Sequence, residues 1–255
     1  MEPLGHFISA PALFSRIGET FSLYPAVTGT LDCLKRFLLY IIPCVIVLLA
    51  VRFGTKVPKF VFRKLLHLVA FTCVIIMLLG AETWLPVSAA SLVITAVIYP
   101  ILALLEKKRW FSGLFIEKRP GEIKRSLVFL FGMFALLTAV GWGVFGEPMI
   151  TAASILMWGV GDASAALIGI PFGKHKVRLP LTDGKKSWEG TLAMTAASFV
   201  CGTAFLLLCA RMPLGKTLLL CVPGAAAGAA AELFSPSEWD TVSVPAVILF
   251  VLLLF

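Results

Sequence analysis

A carboxylate stands inside an apolar run. Asp162 lies in the stretch 149–170, within Gly159-Val160-Gly161-Asp162-Ala163-Ser164. A charge near a bilayer centre costs roughly 2.5–3.5 kcal/mol even on the lenient insertion scale, so such a residue needs a partner. The partner can be a metal ion, a base or a polar substrate. The chain leaves this run through Gly173-Lys174-His175-Lys176 and returns through Asp183-Gly184-Lys185-Lys186-Ser187-Trp188-Glu189-Gly190. Ser187 can cap a helix beginning near Trp188, whose first backbone N–H groups suit phosphate. Lys185 and Lys186 add charge, Gly184 lets the backbone approach a ligand closely, and Glu189 is a candidate metal ligand. The loop is not a Walker A sequence, which needs G-x-x-x-x-G-K-[ST] after a strand. An intramembrane acid joined to a Gly/Lys/Ser/Glu loop points to metal–phosphate chemistry at a membrane surface.

Further candidates flank this pair. On a helix, Gly159, Asp162, Ala166, Gly169 and Gly173 share roughly one face. That small-residue face would admit a flat ligand or a divalent ion, or serve helix contact with Asp162 paired to an Arg or Lys. Arg63, Lys64 and His67 are three and four apart, so all can face one site at the membrane edge; snorkelling of the two cations is the bland alternative. Pro120-Gly121-Glu122-Ile123-Lys124-Arg125 enters another apolar run. Glu232 follows Gly228 by one turn, and Asp240 could cap the last helix. His6 and His175 read as surface residues. The 6 cysteines lie in or beside apolar segments without a CxxC pair, so they read as packing residues, with no thiolate metal site and no disulfide framework.

These groups must be positioned by membrane helices. The chain of 255 residues is 59% hydrophobic and 14% charged, with a mean hydropathy of +0.97, against about 45–50% apolar residues in a soluble domain. The excess lies in long uncharged runs, which predicts an all-α polytopic integral membrane protein with about eight transmembrane helices. The predicted spans are 37–51, 65–81, 84–105, 127–146, 148–170, 190–210, 214–233 and 242–255, the first and last being short. Residues 1–36 read as an N-terminal leader or interfacial segment, and 37–255 as a single membrane-embedded catalytic domain. Most of the 22 basic residues fall in the alternate loops 52–64, 106–125 and 171–189. The positive-inside rule places these loops, with 235–241, in the cytoplasm. Topology thus accounts for the net charge of +8, and no nucleic-acid partner is expected. Every polar cluster falls on that one side. A transporter with Asp162 and Glu232 as coupling sites, the second class considered, would spread polar groups through the midplane and both faces.

Together these motifs resemble the polyprenol kinase family: dolichol kinases, phytol kinases and the CTP-dependent diacylglycerol kinase. The residues that carry the resemblance are Arg63-Lys64-x-x-His67, Gly121-Glu122, Gly161-Asp162-x-x-Ala165 with Gly169 and Phe172-Gly173, Lys186-Ser187-x-Glu189-Gly190-Thr191, and Glu232 with Trp239-Asp240-Thr241-x-x-x-Pro245. They cover about residues 60–245 in the family's order. The related phosphatidate cytidylyltransferases carry a late Pro-Gly-His-Gly-Gly run followed by Asp-Arg. Here that place holds Phe234-Ser235-Pro236-Ser237-Glu238-Trp239-Asp240, which favours kinase over cytidylyltransferase.

The resemblance implies a kinase that transfers the γ-phosphoryl group of CTP, or another nucleoside triphosphate, to a lipid alcohol within the membrane. It implies Mg²⁺ or another divalent cation at Asp162, with Glu189, Asp240 or Glu232 as further ligands. Nucleotide phosphates would lie near Gly161, Gly173, Lys174, Gly184, Lys185, Lys186, Ser187, Gly190 and Thr191. Arg63 or Arg125 would stabilise the transferring group, and His67 and Asp240 compete as the base. The expected setting is a bacterial plasma membrane with the site facing the cytoplasm. Membrane lipids are the expected surroundings, and a homodimer is compatible with the pattern.

Overall fold

The computed structural model describes residues 23–107, 121–178, 184, 186–236 and 239–255. Their chain order is α1 (Leu23–Gly54), α2 (Lys59–Leu79), α3 (Trp84–Leu105), α4 (Glu122–Leu137), α5 (Pro148–Phe172), α6 (Trp188–Leu208), α7 (Leu214–Phe234) and α8 (Asp240–Leu253). In lipid every backbone polar group must be satisfied within its own segment, which selects helices for these apolar runs. The hydroxyls inside them follow the same rule. Thr72, Ser91, Thr95 and Thr195 each donate to the carbonyl four residues back, at 2.9–3.0 Å. The protein is an integral membrane protein: among the described residues, 7 helices are long and apolar enough to cross a bilayer.

The first span differs from expectation, while the last is short as expected. The first is the longest helix, with 32 residues, and passes through Pro43. Residues 23–36, assigned from sequence to a leader or interfacial segment, form its beginning. Pro25 falls in the first turn, where a missing N–H breaks no intrahelical bond. Thr28 and Thr30 return their hydroxyls to the carbonyls of Pro25 and Ala26, so polar side chains do not interrupt the helix. The last helix has 14 residues. At 1.5 Å per residue it is about 21 Å long, short of a bilayer core of about 30 Å.

An aromatic cluster joins α1, α2, α4 and α5. Phe71 meets Trp158 edge-on at 4.6 Å between centroids and Phe134 at 5.0 Å, while Phe131 links Phe134 to Phe37 at 5.5 and 5.7 Å. The Phe71 ring occupies the space that a Cβ on Gly159 would need. This fixes α5 against α2 one turn away from Asp162. Small residues let α5 and α6 approach equally closely. Gly161 packs on Ser198 and Met194, Gly169 faces Gly190, and the Ser198 hydroxyl donates to the Met157 carbonyl at 2.8 Å. The small stripe of α7 receives α8, with Gly224 against Leu252 and Gly228 against Ile248.

The fourth span holds an unforeseen feature. After Leu137 the helix widens into π-helical geometry over Thr138–Val144. Because successive spans alternate in direction, the starts of α2, α4, α6 and α8 gather at one end with the ends of α3, α5 and α7. That end carries the candidate chemistry.

Candidate functional site

Lys64 lies in the second turn of α2, and its side chain is only 11% exposed. It donates from Nζ to Asp162 Oδ2 at 2.6 Å, so the intramembrane acid of α5 has a counter-ion from α2. Neighbouring Arg63 reaches across to α4, where Nη1 approaches Glu122 Oε1 at 3.3 Å. His67, one turn further along α2, is within Coulombic range of Lys64, Asp162 and Arg63. The ammonium of Lys186, just before α6, contacts the last turn of α7. It lies 3.2 Å from Glu232 Oε1 and donates to the carbonyls of Glu232 and Ser235, the latter at 3.0 Å. Asp240 opens α8 within Coulombic range of Asp162, Lys186, Lys64 and Glu232. Three carboxylates, two ammonium groups, Arg63 and His67 therefore converge from α2, α5, the segment before α6, α7 and α8.

The segment between α5 and α6 is closed at its base by two antiparallel bonds. The Val177 N–H donates to the Lys186 carbonyl and the Trp188 N–H to the His175 carbonyl, both at 3.0 Å. Ser187 caps α6 as its position predicts, accepting from the Gly190 N–H at 3.2 Å. The Glu189 carboxylate folds back to accept the N–H groups of Lys174 and His175, each at 3.1 Å, and lies 2.7 Å from His175 Nδ1.

No protein-family model matches the chain, and no solved structure matches it. The phytol kinase of Synechocystis sp. is 33% identical over 198 residues, which cover 74% of this chain and 76% of that protein. The chain belongs to the polyprenol and phytol kinase family. It is a lipid-alcohol kinase.

In this kinase the residues singled out by sequence divide into two sets. Asp162, Arg63, His67, Lys186, Glu232 and Asp240 are brought together. Arg125 is not: it lies exposed in the first turn of α4 with no hydrogen bond to the cluster. Glu189 serves the loop instead of joining the other acids, because two backbone N–H groups and the His175 ring claim its carboxylate. The N–H groups expected to be free for phosphate at the start of α6 are occupied, that of Trp188 by His175 and that of Gly190 by Ser187. Gly161, Gly173 and Gly190 serve close packing: a Cβ would meet Ser198 at Gly161, Ser187 at Gly173 and the Ala165 carbonyl at Gly190. Gly184 is exposed in a left-handed turn at φ 69°, and Lys174 is exposed. Thr191 returns its hydroxyl to the Ser187 carbonyl at 3.2 Å. Lys185 lies outside the described residues.

Among the described residues no three His, Cys, Asp or Glu side chains are close enough to hold a metal ion unaided. Mg²⁺ is ordinarily held by one or two carboxylates together with substrate phosphates and water, and does not need an all-protein cage. Asp162, with Asp240 and Glu232 within Coulombic range, would suit that mode. Sequence reasoning did not place Lys64 as the counter-ion or Glu122 as the partner of Arg63. The signal for Lys64 was present, since a membrane acid demands a cation and Lys64 lies one turn from His67.

Proposed function

We propose that the kinase transfers the γ-phosphoryl group of CTP to the primary hydroxyl of an isoprenoid alcohol of the phytol or polyprenol type, at the cytoplasmic end of its bundle. The observation that supports this most is the Lys64–Asp162 pair inside a cluster contributed by five segments. An ammonium at 2.6 Å gives the membrane carboxylate a counter-ion, and it is a contact that an arriving polyphosphate can exchange. Phosphoryl transfer asks a protein mainly for positioning and charge neutralisation.

In this reading Lys64 turns from Asp162 to the phosphates, and Arg63 neutralises the transferring group. The alcohol oxygen bonds to the γ-phosphorus as the bond to the β-phosphate oxygen breaks. The hydroxyl proton passes to Asp240 or His67, and CDP departs. Mg²⁺, when bound through Asp162 with Asp240 or Glu232, would supply charge neutralisation for the phosphates. The apolar helix faces keep the alcohol tail in lipid. The basic loops 52–64 and 171–189 support the cytoplasmic orientation, and the similarity to a phytol kinase supports an isoprenoid acceptor.

The test is incubation of the purified protein with phytol, farnesol, a polyprenol and diacylglycerol, using CTP labelled at either the γ or the α phosphate. Label should enter lipid from the γ position only, and in sealed vesicles only when CTP is on the face carrying Lys176. Label from the α position means a cytidylyltransferase. No transfer to any alcohol from CTP removes the proposed donor and acceptor.

A further inference from the structure

We propose that Lys186 is a positioning residue that sets the place of Glu232 and of the α7–α8 turn carrying Asp240, and does not itself bind nucleotide phosphate. This rests on the kinase reading above. An ammonium has three donors, and here three acceptors surround it: the Glu232 carboxylate and the carbonyls of Glu232 and Ser235. Its side chain is only 9% exposed. The last carbonyls of a helix have no partner within it, and a lysine there satisfies them and complements the helix dipole. Lys186 does so for α7 from outside the helix. Its own carbonyl meanwhile accepts the Val177 N–H at 3.0 Å, so one residue joins the loop base to the end of α7.

The turn beyond α7 carries this constraint onward. Ser235 Oγ lies 2.5 Å from Ser243 Oγ, and the Ser243 hydroxyl also approaches the Trp239 carbonyl at 3.0 Å. The Asp240 N–H donates to the Pro236 carbonyl at 3.3 Å. Loop, α7 end and α8 start thus form one tied unit, in which Lys186 pairs with Glu232 at 3.2 Å. Lys64 has a carboxylate partner that a polyphosphate can replace, whereas the ammonium of Lys186 is held by a carboxylate and two backbone carbonyls that have no other donor to turn to among the described residues.

The experiment compares wild type, Lys186→Met, Glu232→Gln and the double variant. It reads kcat and KM with γ-labelled CTP and the best acceptor from the alcohol panel, CTP affinity by equilibrium binding, and the melting midpoint in detergent. Lys186→Met keeps the apolar stem and removes the ammonium. Expected is a fall in kcat of at least tenfold, with KM and Kd for CTP within twofold of wild type. The double variant should be no slower than the slower single variant, because both singles break one unit. It should also melt closer to wild type than Lys186→Met, since no buried carboxylate is left unpaired. A tenfold rise in CTP Kd with kcat retained, or multiplicative losses in the double variant, overturns the proposal. If Lys186→Met does not fold, the double variant is compared with Glu232→Gln: an equal CTP Kd in the two supports the proposal, and a tenfold higher Kd in the double variant overturns it. Absence of γ-label transfer by the wild type overturns the kinase reading itself, an outcome distinct from either.

Discussion

The two ends of the bundle are held together by different physics. At the charged end, side chains of opposite sign link neighbouring helices: Arg63 to Glu122, Lys64 to Asp162, Lys124 to Glu106 and Lys186 to Glu232. At the other end, contact depends on missing side chains. Gly143 lies against the Trp84 ring, and Gly141 lies against Thr151 and Leu249 where the fourth span widens. Ion pairs can be exchanged for pairs with a charged ligand at modest net cost, because both states are compensated. Close packing has no such alternative partner, and filling it forces the helices apart. In the proposed reaction the Lys64–Asp162 pair is the one that rearranges around the polar substrate, while Lys186 stays tied to the end of α7 and the far end stays fixed.

The largest effect should come from Asp162→Asn. Loss of the membrane carboxylate should lower kcat by about 10²–10³-fold, the scale on which single groups that stabilise transition-state charge are felt. The change also leaves Lys64 without its counter-ion, so the melting midpoint should fall. Adding Lys64→Met should restore the midpoint and not the turnover. If the double variant recovers activity, the pair is purely structural and the exchangeable end loses its central member.

Arg63→Lys against Arg125→Lys gives an intermediate effect. The guanidinium of Arg63 sits beside the cluster and Arg125 lies exposed on α4. Lysine cannot reproduce the planar fork that arginine offers to phosphate. Turnover should fall about tenfold or more for Arg63→Lys and by less than about twofold for Arg125→Lys. The Arg63–Glu122 pair is partly exposed, so stability should change by no more than about 1 kcal/mol. Equal losses in the two variants would extend the charged site along α4 and redraw its boundary.

Much of this division was legible in the sequence, for a physical reason. An acid in an apolar run and a Gly/Lys/Ser/Glu block are local signals, and they led to Asp162, Ser187 and Glu232. The span 84–105 coincides with α3, because uncharged runs bounded by turn residues define a membrane helix by length alone. What the sequence hid are contacts made to backbone. The Ser235 carbonyl that holds Lys186 and the Lys174 and His175 N–H groups that hold Glu189 belong to every residue type alike, so no spacing announces them. The π-helical turn is likewise a product of packing, where Gly141 and Gly143 let neighbours press in. The length of α1 was missed because Pro25 breaks a helix interior but costs little in a first turn, which is where it falls.

Glu189→Gln should have a smaller effect, which separates two roles for one carboxylate. A glutamine oxygen still accepts the N–H groups of Lys174 and His175, so the loop keeps its closure and loses only charge. Turnover should fall by a few-fold, in contrast to the loss at Asp162. A loss as deep as that of Asp162→Asn would place Glu189 among the acting acids and show that the loop opens during the reaction.

The far end should respond to Gly141→Ala in stability alone. The new methyl would meet Thr151 Oγ1, Thr151 Cβ and Leu249 Cδ1, the last two at 3.3 and 3.1 Å. Thr151 cannot turn away freely, since its hydroxyl donates to the Glu147 carbonyl at 2.7 Å. Overpacking of this kind costs about 1–3 kcal/mol, which should lower the melting midpoint by several degrees. Measured well below that midpoint, kcat and KM should stay within about twofold of wild type, because no member of the charged cluster touches this turn. The pair of readouts is what matters. A normal midpoint would mean that the π-helical turn yields, so that the fixed end is softer than its packing suggests. A normal midpoint with lost turnover would mean that strain travels the length of α5 to Asp162, and the two ends would then have to be treated as one coupled unit.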